Sequence, residues 1–174
     1  MLFFWSVLCI VLLQRISELL LAAKNARWIR ASGGYEVGSS HYKYIVVLHI
    51  TFFVSLILEV MYKRELHSLP SWWMVPFTFF VLAQLMRYWC IASLGRHWNT
   101  RILILPGAEP LRLGPYRFLR HPNYWVVAIE LLTLPLTFDA FTTAIVFTLL
   151  NAWILLRIRI PLETQAVYQR QRSK

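Results

Sequence analysis

LGRHWNTRILILPGAEPLRLGPYRFLRHPN, residues 94–123, is a polar, arginine-rich interruption in a chain otherwise made of long apolar stretches, and it reads as the mouth of a membrane-embedded site. A spanning helix needs about 20 mostly apolar residues. Three upstream runs qualify, Leu2 to Ala23, Tyr44 to Tyr62 and Trp72 to Ile91. Downstream lie Tyr124 to Phe138 and Ala140 to Leu156, separated by Asp139. The first of these is short and contains Pro135, so it is either a tilted span or one arm of a re-entrant hairpin. The expected fold is an all-α integral membrane protein with about five transmembrane helices, the last two forming a helical hairpin.

Composition supports this class. Of the 174 residues, 58% are hydrophobic and 16% aromatic, which leaves too little polar surface for a soluble domain. The net charge of +10 sits at the ends of apolar runs, not in a stripe interleaved with exposed aromatics, so the expected partners are membrane lipids and not nucleic acid. Cys9 and Cys90 lie inside apolar runs without CxxC spacing, which argues against a disulfide framework or a zinc site. The first run starts at Met1 with no basic segment before it and no small-residue cleavage site, so it is expected to be a retained span.

Cytoplasmic segments carry the excess of Lys and Arg. With an external N-terminus and five spans, the inside receives Lys24, Arg27, Arg30 and Lys43, then Arg96, Arg101, Arg112, Arg117 and Arg120, then Arg157, Arg159, Arg170, Arg172 and Lys174. Only Lys63 and Arg64 fall outside. The expected topology is therefore N-out and C-in. No internal repeat divides the chain, so residues 1–174 are read as one domain, with three N-terminal transmembrane helices over 1–93 and a motif-bearing catalytic half over 94–174.

Several polar residues fall at membrane depth. Arg15 and Glu18 stand three apart, one face of one helix, where pairing lowers the cost of two charges in hydrocarbon. Gln84 and Arg87 repeat this spacing, and Arg87 either snorkels to the interface or lines a pocket. Glu130 needs a cation or donor beside it and is assigned to a pocket, although spacing alone does not name its partner. Gly33-Gly34-Tyr35-Glu36-Val37-Gly38 reads as a tight interfacial turn and not as a dinucleotide fingerprint. His41 could face the same pocket as His97 and His121, but scattered histidines without HExxH-type spacing predict no metal.

Gly114-Pro115-Tyr116 is a turn signal, and Pro122 suits the first turn of a helix entering the membrane. Arg120 and His121 would then stand where backbone N–H groups and the helix dipole favour an anion. The alternative is that Arg117 and Arg120 only anchor that helix.

GPYRFLRHPNY, followed by an apolar helix pair and then Arg159-Ile-Pro-Leu-Glu163, resembles the membrane isoprenylcysteine carboxyl methyltransferase family, whose hallmark is RHPxY, a hydrophobic hairpin, and an arginine-and-glutamate motif. Leu94-Gly95-Arg96-His97-Trp98 is similar to its LGxxW lead-in, so the resemblance covers Leu94 to Gln165. The first half, with QRISELLLAAKN and GGYEVGSSHY, resembles the short bacterial branch that includes alkylpyrone O-methyltransferases. The resemblance implies S-adenosylmethionine as methyl donor, in a cytoplasm-facing pocket of a bacterial cell-membrane protein. It implies that His97, Tyr116, His121, Pro122 and Tyr124 help hold the donor, and that Arg159 and Glu163 close the pocket, Arg159 toward a carboxylate and Glu163 toward amino or hydroxyl groups. The chain departs from the pattern at Leu162-Glu163, where adjacent glutamates are common, and at Trp125-Val126-Val127, where a small residue is common.

Methyl transfer from a sulfonium is an in-line displacement that positioning in a water-poor pocket can drive. An anionic or enolic acceptor oxygen needs a cation to orient it, and Arg120 and Arg87 are the candidates, with Glu130 as the pocket carboxylate. A lipophilic acceptor, alkylpyrone-like or prenylcysteine-like, would enter sideways from the bilayer. Phospholipid N-methylation, a sterol-type reductase, and a non-enzymatic scaffold or transporter are the competing readings. The basic segment opposes an amine acceptor, and so short a chain leaves little room for a nicotinamide cofactor.

Overall fold

In the computed structural model the described residues are 1–63, 69–108 and 111–168. The first apolar run continues into Lys24–Arg30 without a helix breaker, and α1 accordingly covers Leu2–Ala31. At about 1.5 Å per residue this is about 45 Å, longer than a hydrocarbon core of about 30 Å, so its last turns stand among headgroups. The helix stops at Gly33, whose φ of 84° is open to glycine at no steric cost. The glycine-rich stretch is thus a turn, as expected, but it also feeds a short strand, β1 (Tyr35–Val37). β1 pairs antiparallel with β2 (Ile102–Ile104), with Tyr35 opposite Ile104 and Val37 opposite Ile102. The described residues thus form an all-α membrane fold to which one two-stranded ribbon is added; three-residue strands are too short for alternation to announce them.

The remaining helices are α2 (Ser39–Tyr62), α3 (Met74–Leu94), α4 (Pro122–Thr137), α5 (Phe141–Ile154) and α6 (Ile160–Tyr168). Among the described residues, four helical stretches are long and apolar enough to cross a membrane, Leu2–Ala31, Ser39–Tyr62, Met74–His97 and Phe141–Ala166. The other expected span is α4, whose 16 residues extend about 24 Å, so it is the short arm of the α4–α5 hairpin. Of the residues in the charge tally, Arg64, Arg170, Arg172 and Lys174 lie outside the described residues.

The hairpin tip is fixed to α2. Glu59 accepts hydrogen bonds from the backbone N–H of Thr142 (3.1 Å) and Thr143 (2.8 Å) and from the Thr143 hydroxyl (2.7 Å), capping α5 with a side chain from another helix. Lys63 donates to the carbonyl of Asp139 (2.6 Å), the residue that turns the chain at a φ of 60°. Near this end Phe4, Leu8, Leu56, Phe80, Leu134 and Phe138 form the apolar core. Leu2, Ile10, Leu20, Leu58, Leu85 and Leu149 point outward as a lipid-facing surface.

Beyond that core, away from the hairpin tip, the side chains change character. Arg15 donates to Glu18 (2.7 Å) and to Glu130 (3.0 Å); Arg87 donates through Nε to Glu130 (2.8 Å), through a second nitrogen to the other oxygen of Glu130, and to Glu18 (3.2 Å). Gln14 donates to Glu18 and Gln84 to Glu130. The two arginines and two glutamates form a neutral cluster that joins α1, α3 and α4, which names the partner of Glu130 and places Arg87 in a pocket wall and not at the interface. Replacing Glu130 by Ala leaves Arg87 and Arg15 short of a counter-charge, so Glu130→Ala is expected to lower stability by about 3–5 kcal/mol, read by thermal unfolding in detergent. The double substitution Arg87→Met with Glu130→Leu is expected to recover most of that loss.

Candidate active site

At the end of the bundle opposite the hairpin tip, a cavity of about 450 Å³ is lined by α1, α2, α3, α4, the last turn of α5, the polar segment and the chain that leads into α6. Its size suits a small molecule. The upper part is polar, with Thr100, His121, Asn123, Tyr124, Arg159 and Glu163. The lower part is apolar and ends at Arg15, Glu18 and Arg87. Leu19 of α1 and Val46 and Ile50 of α2 are both wall residues and exposed, so the apolar part opens sideways between α1 and α2 toward lipid.

The polar part is built by two prolines. Pro122 occupies the first turn of α4, where its missing N–H costs nothing, and is itself buried behind the wall. His121 precedes it and Tyr124 follows within the turn, so their rings stack with centroids 5.3 Å apart and planes 15° off parallel. Pro161 lies inside the last helical stretch, where it cannot donate to the carbonyl four residues back and its ring crowds that carbonyl. The chain absorbs this in a π-helical turn, Leu155–Arg159, just before α6. That turn presents Arg159 and Glu163 to α4. The Tyr124 hydroxyl donates to Glu163 and accepts from Arg159 Nε (3.0 Å), His121 Nδ1 lies 3.5 Å from Glu163, and Arg159 donates to the Thr100 carbonyl (2.8 Å).

His97, Tyr116, Arg87, Arg120, His121, Tyr124, Arg159 and Glu163 all border this one cavity. His97 meets Trp28 edge-on at 5.5 Å, and Arg120 is exposed at the rim. Tyr116 sits in a 3₁₀ turn, Gly114–Arg117; burial, with Cys90 and Glu163 nearby, pushes its phenol well above the ordinary range, so it remains a hydrogen-bond donor. Glu130 does not border the cavity and faces Arg87 from behind, because hydrocarbon leaves a carboxylate no better partner than a guanidinium. Arg87 in turn has every nitrogen on Glu130 or Glu18. His41 is buried against Gly38 and is not part of the wall.

Among the described residues, three buried polar atoms of the wall have no hydrogen-bond partner, Trp98 Nε1, Asn123 Oδ1 and Asn151 Nδ2. An unmet buried donor or acceptor costs about 1–3 kcal/mol, so a polar group bound beside these atoms would lower the cost of the wall. Two donors, one acceptor, a carboxylate at Glu163 and a guanidinium at Arg159 suit a ligand that bears ammonium, carboxylate, hydroxyl and heteroaromatic groups together. S-adenosylmethionine is such a ligand, and the residues present fit it. Trp98 and Asn123 lie inside the LGxxW and RHPxY motifs but are not among the sequence-predicted site residues, and Asn151 carries no motif signal; their convergence on the cavity reveals all three.

Residues 74–169 match the isoprenylcysteine carboxyl methyltransferase (ICMT) family. The chain belongs to this family. Its members are S-adenosylmethionine-dependent methyltransferases of membranes, and the matched region contains α3, both proline-built turns and the α4–α5 hairpin. Over its full length the chain is similar to YpbQ, an uncharacterized protein of Bacillus subtilis (strain 168), at 41% identity over 166 residues, covering 95% of this chain and 97% of that one. It is also similar to an uncharacterized protein of Haemophilus influenzae, at 26% identity over 168 residues and 96% of each chain. No solved structure matches this ICMT-family chain.

Gly114 gives a local test of the site. Its φ is 52°, and a Cβ there would come within 2.0 Å of Ser93 Oγ and 2.9 Å of Trp89 Nε1. Gly114→Ala is expected to push the Tyr116 turn off α3, lowering stability by about 1–3 kcal/mol and weakening donor binding, as measured by unfolding and by calorimetry.

Proposed function

We propose that the protein is an O-methyltransferase that moves a methyl group from S-adenosylmethionine to a lipophilic acceptor with an anionic or enolic oxygen, alkylpyrone-like or prenylcysteine-like. The observation that carries this reading is the continuity of one cavity, from the Tyr124–Arg159–Glu163 cradle to an apolar chamber open toward lipid. A polar donor and a greasy acceptor would share that space only if their reacting ends met within it.

Glu163 would hold the donor's ammonium or ribose hydroxyls and Arg159 its carboxylate, with Trp98, Asn123 and Asn151 completing the remaining polar groups. His121 and Tyr124 form the stacked face beside them, while His97 and Tyr116 close the rim and Pro122 sets the turn. When bound, the donor supplies an electrophilic methyl group on a sulfonium. The chain's own part is to exclude water and to keep the two reacting ends in line. Arg120, on the rim, is placed to meet an anionic group of donor or acceptor. Arg87 and Glu130 act as positioning residues, because their mutual pairing fixes the floor of the chamber and leaves neither to touch the acceptor. The charge distribution favours N-out, C-in and a cytoplasm-facing cradle. The two bacterial relatives favour a small lipid acceptor over a prenylated protein.

Purified protein is expected to bind S-adenosylmethionine in calorimetry, and His121→Ala and Glu163→Ala to weaken it about tenfold, roughly 1.4 kcal/mol. Unchanged affinity in both variants removes these residues from the donor site. Mass spectrometry of membranes given labelled donor, with an alkylpyrone or a prenylcysteine analogue, distinguishes the two acceptors.

A further inference from the structure

The turn that carries Tyr116 has two faces. Pro115 is fully buried and Tyr116 borders the cavity, whereas on the outer side Leu113 is 56% exposed, Phe118 76% and Leu119 42%. Exposed arginines, Arg112, Arg117 and Arg120, are interleaved with these apolar side chains, and the Arg117 guanidinium lies 6.0 Å from the Phe118 ring. Water suits such a run of exposed apolar groups poorly, and hydrocarbon suits the arginines poorly. The headgroup layer suits both.

The packing of the turn puts it at that depth. Gly114 lies against Trp89 and Ser93 in the last turns of α3, and Trp125 stands in the first turn of α4. Both indoles are exposed, as amphipathic rings are at a membrane–water boundary. Elsewhere on this end of the bundle Arg30 and Arg101 share Glu36. Among the described residues no ion pair engages Arg112 or Arg117, so the complement to their charge is an anion from outside the chain.

We propose that residues 112–120 bind the headgroup of an anionic phospholipid, with Arg112 and Arg117 on its phosphate and Leu113, Phe118 and Leu119 among the first carbons of its chains. A guanidinium can take two phosphate oxygens at once, and two guanidiniums favour a lipid of net negative charge over a zwitterionic one. The same residues reach the cavity, because Tyr116 lies between Pro115 and Arg117, and Arg120 and His121 border the cavity directly after Leu119. A lipid that holds the outer face therefore steadies the inner one and tightens donor binding; this coupling rests on the methyltransferase reading above. By linkage, the donor tightens lipid binding by the same factor.

The test titrates detergent-purified protein with dioctanoyl phosphatidylglycerol and with dioctanoyl phosphatidylcholine in a calorimeter. Wild type is expected to bind the anionic lipid about tenfold more tightly, and Arg112→Gln with Arg117→Gln to lose that preference. Leu113→Ser with Phe118→Ser is expected to weaken both lipids. Lys24→Gln with Arg27→Gln removes the same charge from exposed positions on α1 and is expected to change neither. Equal binding of the two lipids by wild type, or equal loss in the two charge-removing pairs, overturns the site. Chainless glycerophosphoglycerol binding as tightly as the lipid overturns its assignment to a membrane lipid. Affinity for S-adenosylmethionine is expected to rise about threefold with phosphatidylglycerol in wild type and not in Arg112→Gln with Arg117→Gln, and no rise in wild type overturns the coupling. If the lipid preference maps to Arg112 and Arg117 but wild type binds no S-adenosylmethionine with either lipid, the lipid site stands and the methyltransferase reading is what fails.

Discussion

A charge placed in hydrocarbon must be matched by another, and the rest of this structure is arranged around that requirement. Arg15, Glu18, Arg87 and Glu130 come from three helices and form one neutral group with two glutamine donors beside it. Its desolvation is costly, and the coulombic return depends on every partner being in place. That makes it a poor source of stability and a strict source of geometry. It holds α1 against α3 and α4, and it sets how deep the cavity can go.

Above this floor the site depends on backbone punctuation more than on the charges themselves. Pro122 opens α4 so that His121 and Tyr124 stack on one side, and Pro161 forces the wide turn that brings Arg159 and Glu163 back to them. The β1–β2 ribbon adds a third tie, because Glu36 accepts from both Arg30 and Arg101 and so links the end of α1 to the polar segment. Through these ties the N-terminal helices, which lie outside the family match, supply one wall of the cavity and its opening toward lipid.

Much of this was legible in the chain. The apolar runs announce their helices because length and composition suffice for a segment with lipid on most sides. The RHPxY motif and the arginine-and-glutamate motif point to one place because the hairpin between them returns the chain to its starting side. The ribbon was not legible, since three residues of strand carry no period. Asn151 looks like an ordinary member of an apolar run until its neighbours are known.

By itself, the sequence determined which segments could enter a membrane, which end of the bundle is basic and which motifs belong together, because these depend on composition and local spacing. The tertiary structure decided which charge meets which. Arg87 could have snorkelled, lined a pocket or bound an acceptor, and spacing admits all three. What settled it is a carboxylate 43 residues away, at Glu130, and another 69 residues away, at Glu18. In a low-dielectric interior the strongest partner takes a charge, and which partner is nearest is a property of the packed helices alone.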